Sequence, residues 1–293
     1  GGASLARFWF GCLRTASART SNGVHDPTPG RLDAAARRLA ALRLRDGVAP
    51  PLTRLPEAAR PRDMDEAYAV QVRLRARLAP ALGAPAGWKI GCTTPVMQAY
   101  LGVPHPCAGT LFAGGLHRGA VRLQAARFHR LGLECELAVT LRADLGLREG
   151  GHDADSVAAS VATLHASIEV VEERFAGLAE AGAPTLTADD FFGAGCVLGE
   201  GRPLSTSGDP AALAGGFAAP DAAPAETGRG AAILGHPLTA LAWLANLRAG
   251  QGQGLRAGEV VTLGSVVRTI YPQPGDILEA RFDSLPPARV EIL

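Results

Sequence analysis

Leu133-Glu134-Cys135-Glu136-Leu137-Ala138-Val139 is the stretch from which the rest of the chain can be read. Its apolar run predicts a strand, and on a strand successive side chains face opposite ways. Glu134 and Glu136 therefore share one face, while Cys135 takes the other as a small core residue. Two carboxylates side by side on an apolar strand repel each other, and burying both is costly. A divalent cation answers both costs, because hard cations take oxygen ligands. For an isolated Glu-x-Glu, a solvated strand face with both glutamates in water is the plainer alternative.

A second segment, Ser167-Ile168-Glu169-Val170-Val171, sets another glutamate inside an apolar strand, 33 residues after Glu136. Between them the spacing predicts a helix over 156–166, with Val157, Val161 and Leu164 facing inward. A strand, a crossover helix and a strand form a compact unit that can bring the three carboxylates together. Three oxygens on one side leave about half an octahedron for water and substrate, as Mg²⁺ is usually held. A salt bridge to an arginine, or a strand edge in solvent, would also account for Glu169.

Further out, the texture divides the chain. Residues 1–30 carry Arg7, Arg14 and Arg19 and no acid before Asp26. They resemble an organelle transit peptide superficially and read as a disordered arm. Residues 31–85 form a helical N-terminal region. Leu32, Ala35, Ala36 and Leu39 recur at helical spacing, and so do Ala67, Val70, Leu74 and Leu78 over 63–78, a helix that Pro80 should end. From 86 to 293 the pattern is short strands between Gly and Pro turns: 86–91, 132–141, 168–172, 194–199, 259–265 and 288–293. Pro237 opens an apolar helix through Leu247 that should be buried. Residues 205–230 read as a loose loop around one strand.

Composition excludes several classes. Hydrophobic residues make up 47% and charged residues 19% of the 293, as in a globular protein with a large core. The net charge of +1 argues against nucleic acid, and no run approaches the ~18 unbroken apolar residues of a membrane span. Five scattered cysteines without a CxxC pair suggest reduced thiols in a cytoplasm. Lys89 is the only lysine among 29 basic residues. A lysine kept where arginine serves elsewhere suggests a need for a compact ammonium with a shiftable pKa, although chance survival on a surface would leave the same count.

Taken in order, Gly87-Trp88-Lys89-Ile90-Gly91-Cys92-Thr93, Gly109-Thr110-Leu111-Phe112, the Glu134/Glu136 pair, Ile168-Glu169-Val170-Val171, Leu234-Gly235-His236-Pro237-Leu238, Ala242-Trp243-Leu244-Ala245, Ala257-Gly258-Glu259 and Leu263-Gly264-Ser265 form a specific series. It resembles the 2-keto-4-pentenoate hydratase and 4-oxalocrotonate decarboxylase branch of the fumarylacetoacetate-hydrolase superfamily, over roughly residues 30–293. The resemblance implies an α+β fold, a mixed β-sheet roll with flanking helices, assembled as a homo-oligomer. It implies that Glu134, Glu136 and Glu169 hold Mg²⁺ or Mn²⁺ and that Lys89 is the active-site lysine. The chain departs from the pattern at Cys107 (usually Asp), Leu131-Gly132 (usually Pro-Arg), Asp190 and Phe192 (usually Asn and Ser) and Leu263 (usually Thr). The metal centre is thus intact and the substrate shell altered.

The chemistry implied is hydration of a 2-hydroxy-2,4-dienoate or 2-oxo-4-enoate, a small substrate from aromatic-type catabolism. A cation would chelate the carboxylate and the 2-oxygen and stabilise an enolate. Lys89 would relay a proton if burial and the cation lower its pKa. Decarboxylation of a 2-oxo-3-enedioate passes through the same enolate. His129, Asp190 and Ser265 are candidate substrate-binding residues, each with a plainer reading as a core, turn or strand-end residue. His236 reads as the cap of the helix opened by Pro237. Acylpyruvate-type hydrolysis is the first rival, but it calls for a His–Glu pair near the N-terminus, and residues 30–85 contain no histidine. A non-catalytic metal-binding protein is the second. No GxSxG elbow is present, and Gly250, Gly252 and Gly254 lack phosphate-loop spacing.

Overall fold

The computed structural model describes residues 28–45 and 50–293. The arm expected over 1–30 lies outside them, apart from 28–30, which begin the first helix. In chain order the elements are α1 (Thr28–Arg43), α2 (Met64–Leu82), β1 (Pro85–Gly91), α3 (Pro95–Leu101), β2 (Cys107–Phe112), β3 (Leu116–Arg118), β4 (Ala120–Leu123), β5 (Leu131–Leu141), α4 (Ala154–Ala158) and β6 (Val161–Glu172). There follow α5 (Leu178–Ala181), α6 (Ala183–Ala188), β7 (Gly193–Leu198), β8 (Arg202–Pro203), β9 (Ala214–Ala218), β10 (Gly228–Arg229), α7 (Pro237–Gly250), β11 (Val260–Ser265), β12 (Ile277–Phe282) and β13 (Leu285–Ile292).

Two mixed sheets with helices packed on them make up the molecule. The larger has eight strands in the order β2-β1-β11-β5-β6-β7-β3, with β8 added to β6; the smaller runs β10-β9-β12-β13-β4. Alternation sorts the side chains of the larger sheet. Ile90, Leu133, Cys135, Leu137, Ile168, Val170, Val261 and Leu263 point into a core shared with the smaller sheet and α7. The opposite face meets α1 and α2 through a second cluster that includes Leu39, Val70, Leu74, Val171, Phe191 and Phe192. The predicted apolar stripes of both N-terminal helices are buried there. Asp63 caps α2 by accepting from the Glu66 N–H. Pro80 does not end that helix. One missing N–H in the last turn is tolerated, and the chain leaves the helix at Gly83, where φ is 87°.

The helix predicted over 156–166 is a correction. Only Ala154–Ala158 is helical, started by an Asp153–Ser156 capping box, and from Val161 the chain is strand. Val161 and Leu164 still point inward, now as strand residues pairing with β5. Long-range pairing along the whole of β5 outweighs a helical period of three residues. β5 and β6 are therefore antiparallel neighbours, not strands joined by a crossover helix.

Gly230–Gly250 is long and apolar enough, by composition, to cross a bilayer. Its apolar surface is instead buried in the core: Leu238, Leu241, Leu244 and Leu247 of α7 pack into the main cluster. The 205–230 region contains β9 and β10, one strand more than expected.

Candidate metal centre

The β5–β6 register sets the geometry. Glu134 lies directly opposite Glu169, and Glu136 lies opposite Ser167 on one side and Ser265 of β11 on the other. The three glutamates share the face turned towards α1 and α2, and each offers a carboxylate oxygen within 4.8 Å of the others. Glu136 and Glu169 are buried and Glu134 is half-buried. Cys135, on the other face, is a core residue.

Lys89 enters the cluster from β1. Its Nζ lies 2.8 Å from Glu169 Oε1 and donates to the Phe191 carbonyl at 3.0 Å. The rings of Phe191 and Phe192 each lie 4.9 Å from the ammonium, a cation–π arrangement in a desolvated site. Two motif glycines make this fit possible. A Cβ on Gly109 would sit 3.0 Å from Lys89 Cγ and 2.3 Å from the Asp190 carbonyl, and one on Gly91 would sit 2.4 Å from the Phe191 ring.

The electrostatics follow from burying three acids around one base. Burial, then Glu169 and Glu134, push Glu136 well above the ordinary carboxylate range. Burial lifts Glu169 to about 7, with Lys89 pulling against it. Burial alone would lower Lys89, as the sequence suggests, but Glu169, Glu134 and Glu136 outweigh it and raise the ammonium. Oε1 of Glu169 meets the Lys89 ammonium at 2.8 Å, and the buried Oε2 has no partner of its own. A buried carboxylate with an oxygen left unpartnered, beside two others, is the donor set a hard divalent cation satisfies, so these residues fit such an ion.

The three further candidates are placed differently. Asp190 is buried and occupied: Oδ1 accepts from the Thr110 N–H at 2.9 Å, and Oδ2 from Arg43 Nη1 at 2.7 Å. Ser265 Oγ lies 2.7 Å from the Val267 carbonyl and 3.2 Å from that of Cys135, which ties it to the strand end. His129 is half-buried, and its backbone N–H donates to Glu172 at the far end of β6. None of the three joins the carboxylate cluster. His236 does cap α7, its Nδ1 accepting from the Leu238 N–H.

Sequence reasoning missed the residues that orient the cluster. The Gly264 N–H donates to Glu136 Oε2 at 3.1 Å, and Thr269 Oγ1 donates to Glu134 Oε1 at 2.6 Å. Arg174 is buried and bonded to Asp189 at 2.7 Å, while Arg43 holds Asp190. A backbone N–H carries no sequence signal, and two arginines among 28 are not singled out by spacing.

No family model matches the chain. It is 32% identical over 231 residues to the 2-keto-4-pentenoate hydratase of Paraburkholderia xenovorans (strain LB400), covering 78% of this chain and 84% of the relative. It is 28% identical over 221 residues to the 4-oxalocrotonate decarboxylase of Pseudomonas putida, covering 75% and 82%. Among solved structures it resembles 4-oxalocrotonate decarboxylase from Pseudomonas putida G7 complexed with magnesium and adipate, with a TM-score of 0.80, 23% identity and coverage of 94% of this chain and 100% of that one. At that identity the likeness shows the fold.

Proposed function

Because this chain belongs to the 2-keto-4-pentenoate hydratase and 4-oxalocrotonate decarboxylase branch of the fumarylacetoacetate-hydrolase superfamily, we propose that Glu134, Glu136 and Glu169 hold a divalent cation at which Lys89 assists hydration of a 2-hydroxy-2,4-dienoate. The enzyme is a metal-dependent hydratase, a carbon–oxygen lyase. One observation carries the assignment of residues: the only lysine of the chain is fully buried against the three-carboxylate cluster. Ordinary folding has little use for three buried ionisable groups packed together beside a fourth, half-buried one.

The cation, Mg²⁺ or Mn²⁺ in this reading, supplies Lewis acidity towards the substrate's carboxylate and 2-oxygen when bound. The protein does the rest. The three carboxylates would hold that cation and so fix its place in the site. Lys89 Nζ, aimed by the Phe191 carbonyl, is placed to give or take a proton as charge develops on the substrate. The Phe191 and Phe192 rings exclude water from that side and offer no hydrogen bond to a distal carboxylate. Hydration is the first reading because the hydratase relative is 32% identical against 28% for the decarboxylase relative, which keeps decarboxylation as the second reading.

Residues 31–85 serve here as the helical cover of a catalytic unit formed by 86–293. The larger sheet is read as the roll of the superfamily, and the working form as a cytoplasmic homo-oligomer. The test is turnover of freshly generated 2-hydroxypenta-2,4-dienoate, followed by loss of its ultraviolet absorbance with Mg²⁺, with Mn²⁺ and with EDTA. Metal-dependent loss giving a 4-hydroxy-2-oxo acid is expected. No turnover of this substrate, together with metal-dependent release of CO₂ from 2-oxohex-3-enedioate, would replace hydration by decarboxylation.

A further inference from the structure

Each of the three carboxylates is aimed by a different device. Glu136 accepts from the Gly264 backbone N–H, at a position where φ is 129° and a Cβ would come within 2.4 Å of Thr93 Oγ1. Glu169 faces the Lys89 ammonium. Glu134 is the half-buried member, and the last torsion of a glutamate is broad and weakly restrained. Left to itself, it would be the loose ligand of the set.

What restrains it is a strap. β11 pairs with β5 as far as Ser265 opposite Glu136. The chain then arches away and rejoins β5 at Ile270, which exchanges two backbone hydrogen bonds with Leu133, at 2.9 and 3.0 Å. The arch carries Thr269 over the start of β5, where its hydroxyl donates to Glu134 Oε1 at 2.6 Å. Gly132 leaves room for it: a Cβ there would lie 3.1 Å from Thr269 Cγ2 and 2.8 Å from Val171 Cγ2. Just past the arch, the Tyr271 hydroxyl bonds to Glu173. Arg130 stacks on the Tyr271 ring at 3.6 Å and pairs with Glu173 at 2.7 Å. The strap is thus pinned on both sides of Thr269.

We propose that Thr269 is a positioning residue for the cation, its hydroxyl fixing the Glu134 carboxylate in the orientation that completes the ligand set. The inference rests on the metal-binding reading above and adds a residue outside the three glutamates and Lys89. Partners that orient a ligand are worth about 10–100-fold in metal affinity. The bond reaches Glu134 from a half-exposed hydroxyl, so the lower end of that range applies.

The experiment titrates the full-length protein with Mn²⁺, reading free Mn²⁺ by its electron paramagnetic resonance signal, for wild type, T269V and T269S. T269V keeps the shape and removes the hydroxyl. It should weaken Mn²⁺ binding about tenfold, while T269S restores it. At saturating Mn²⁺ the T269V turnover should approach that of the wild type. A merely structural threonine would lower the melting temperature and leave the Mn²⁺ isotherm in place, and that pattern overturns the inference. A wild type that binds no Mn²⁺ would instead remove the metal-binding reading itself and this inference with it.

Discussion

Arg43, the last residue of α1, donates to Asp190 at 2.7 Å across 147 positions of sequence. The pair anchors a turn in which Asp190, Phe191 and Phe192 all have positive φ (52°, 48° and 52°). For residues with a Cβ this conformation costs on the order of 1–2 kcal/mol each. The turn persists because its surroundings over-determine it. Asp190 also accepts from the Thr110 N–H, and Arg174 bonds to Asp189 and reaches the Gly193 carbonyl. The product of the strain is a carbonyl, that of Phe191, turned onto Lys89. A helix outside the larger sheet therefore helps to aim Lys89.

R43M should accordingly leave Asp190 buried without its cation. Breaking a buried pair costs about 3–5 kcal/mol, which corresponds to a melting temperature lower by about 10 °C for a chain of this size. The double variant R43M/D190N, which removes the stranded charge, should recover much of that loss by differential scanning calorimetry. In R43M the turn relaxes, so kcat should fall more than KM rises. A single variant that melts within two or so degrees of wild type would show that the pair holds nothing in place.

E136Q separates binding from folding. Glu136 is buried beside two other carboxylates, which with burial push its carboxyl well up. An isosteric amide removes that repulsion, so E136Q in EDTA should melt above wild type. Added Mn²⁺ should raise the melting temperature of wild type and leave E136Q unmoved, because ligand-induced stabilisation requires a site. Equal Mn²⁺ stabilisation of both proteins would remove Glu136 from the ligand set.

The three glutamates and Lys89 were legible in the sequence because each is a chemical anomaly: charges on apolar strands, and one lysine among arginines. Strand alternation then placed Glu134 and Glu136 on one face without knowledge of the fold. The link between the strands was misread, since Val157, Val161 and Leu164 fit a helical period while the β5–β6 ladder decides the matter over a longer range. β2 and β12 escaped notice because Gly109 and the charged Glu279 and Arg281 interrupt their apolar pattern. Asp190, a candidate substrate contact with a plainer reading as a turn residue, is bonded within a turn by Arg43 and the Thr110 N–H. Its partner Arg43 sits on another element, and such pairings have no local signature.

K89M should leave metal binding while ending catalysis. Removing the ammonium takes a positive charge from 2.8 Å away from Glu169, so Mn²⁺ should bind at least as tightly as to wild type. Turnover should fall about 10²–10⁴-fold, the usual worth of a positioned proton carrier. K89R should not rescue it, because Gly91, Gly109 and the Phe191 ring leave no width for a guanidinium. Substantial turnover by K89M would assign the proton to another group.

Glu169 titrates at about 7 in the folded protein against an ordinary 4.5, with burial as the main cause. A carboxyl whose folded pKa is raised binds its proton more tightly when folded. Its contribution to stability is therefore complete below about 4.5 and is lost as pH rises towards about 7. Other carboxylates shift stability the opposite way, so the quantity to measure is a difference. In EDTA, the melting temperature of wild type minus that of E169Q should decline from pH 5 to pH 7.5 or so and then level off. Mn²⁺ competes with the same proton, so its stabilisation of wild type should grow across that interval. A difference that stays flat with pH would mean that Glu169 is ionised throughout, paired with Lys89 rather than waiting for a cation.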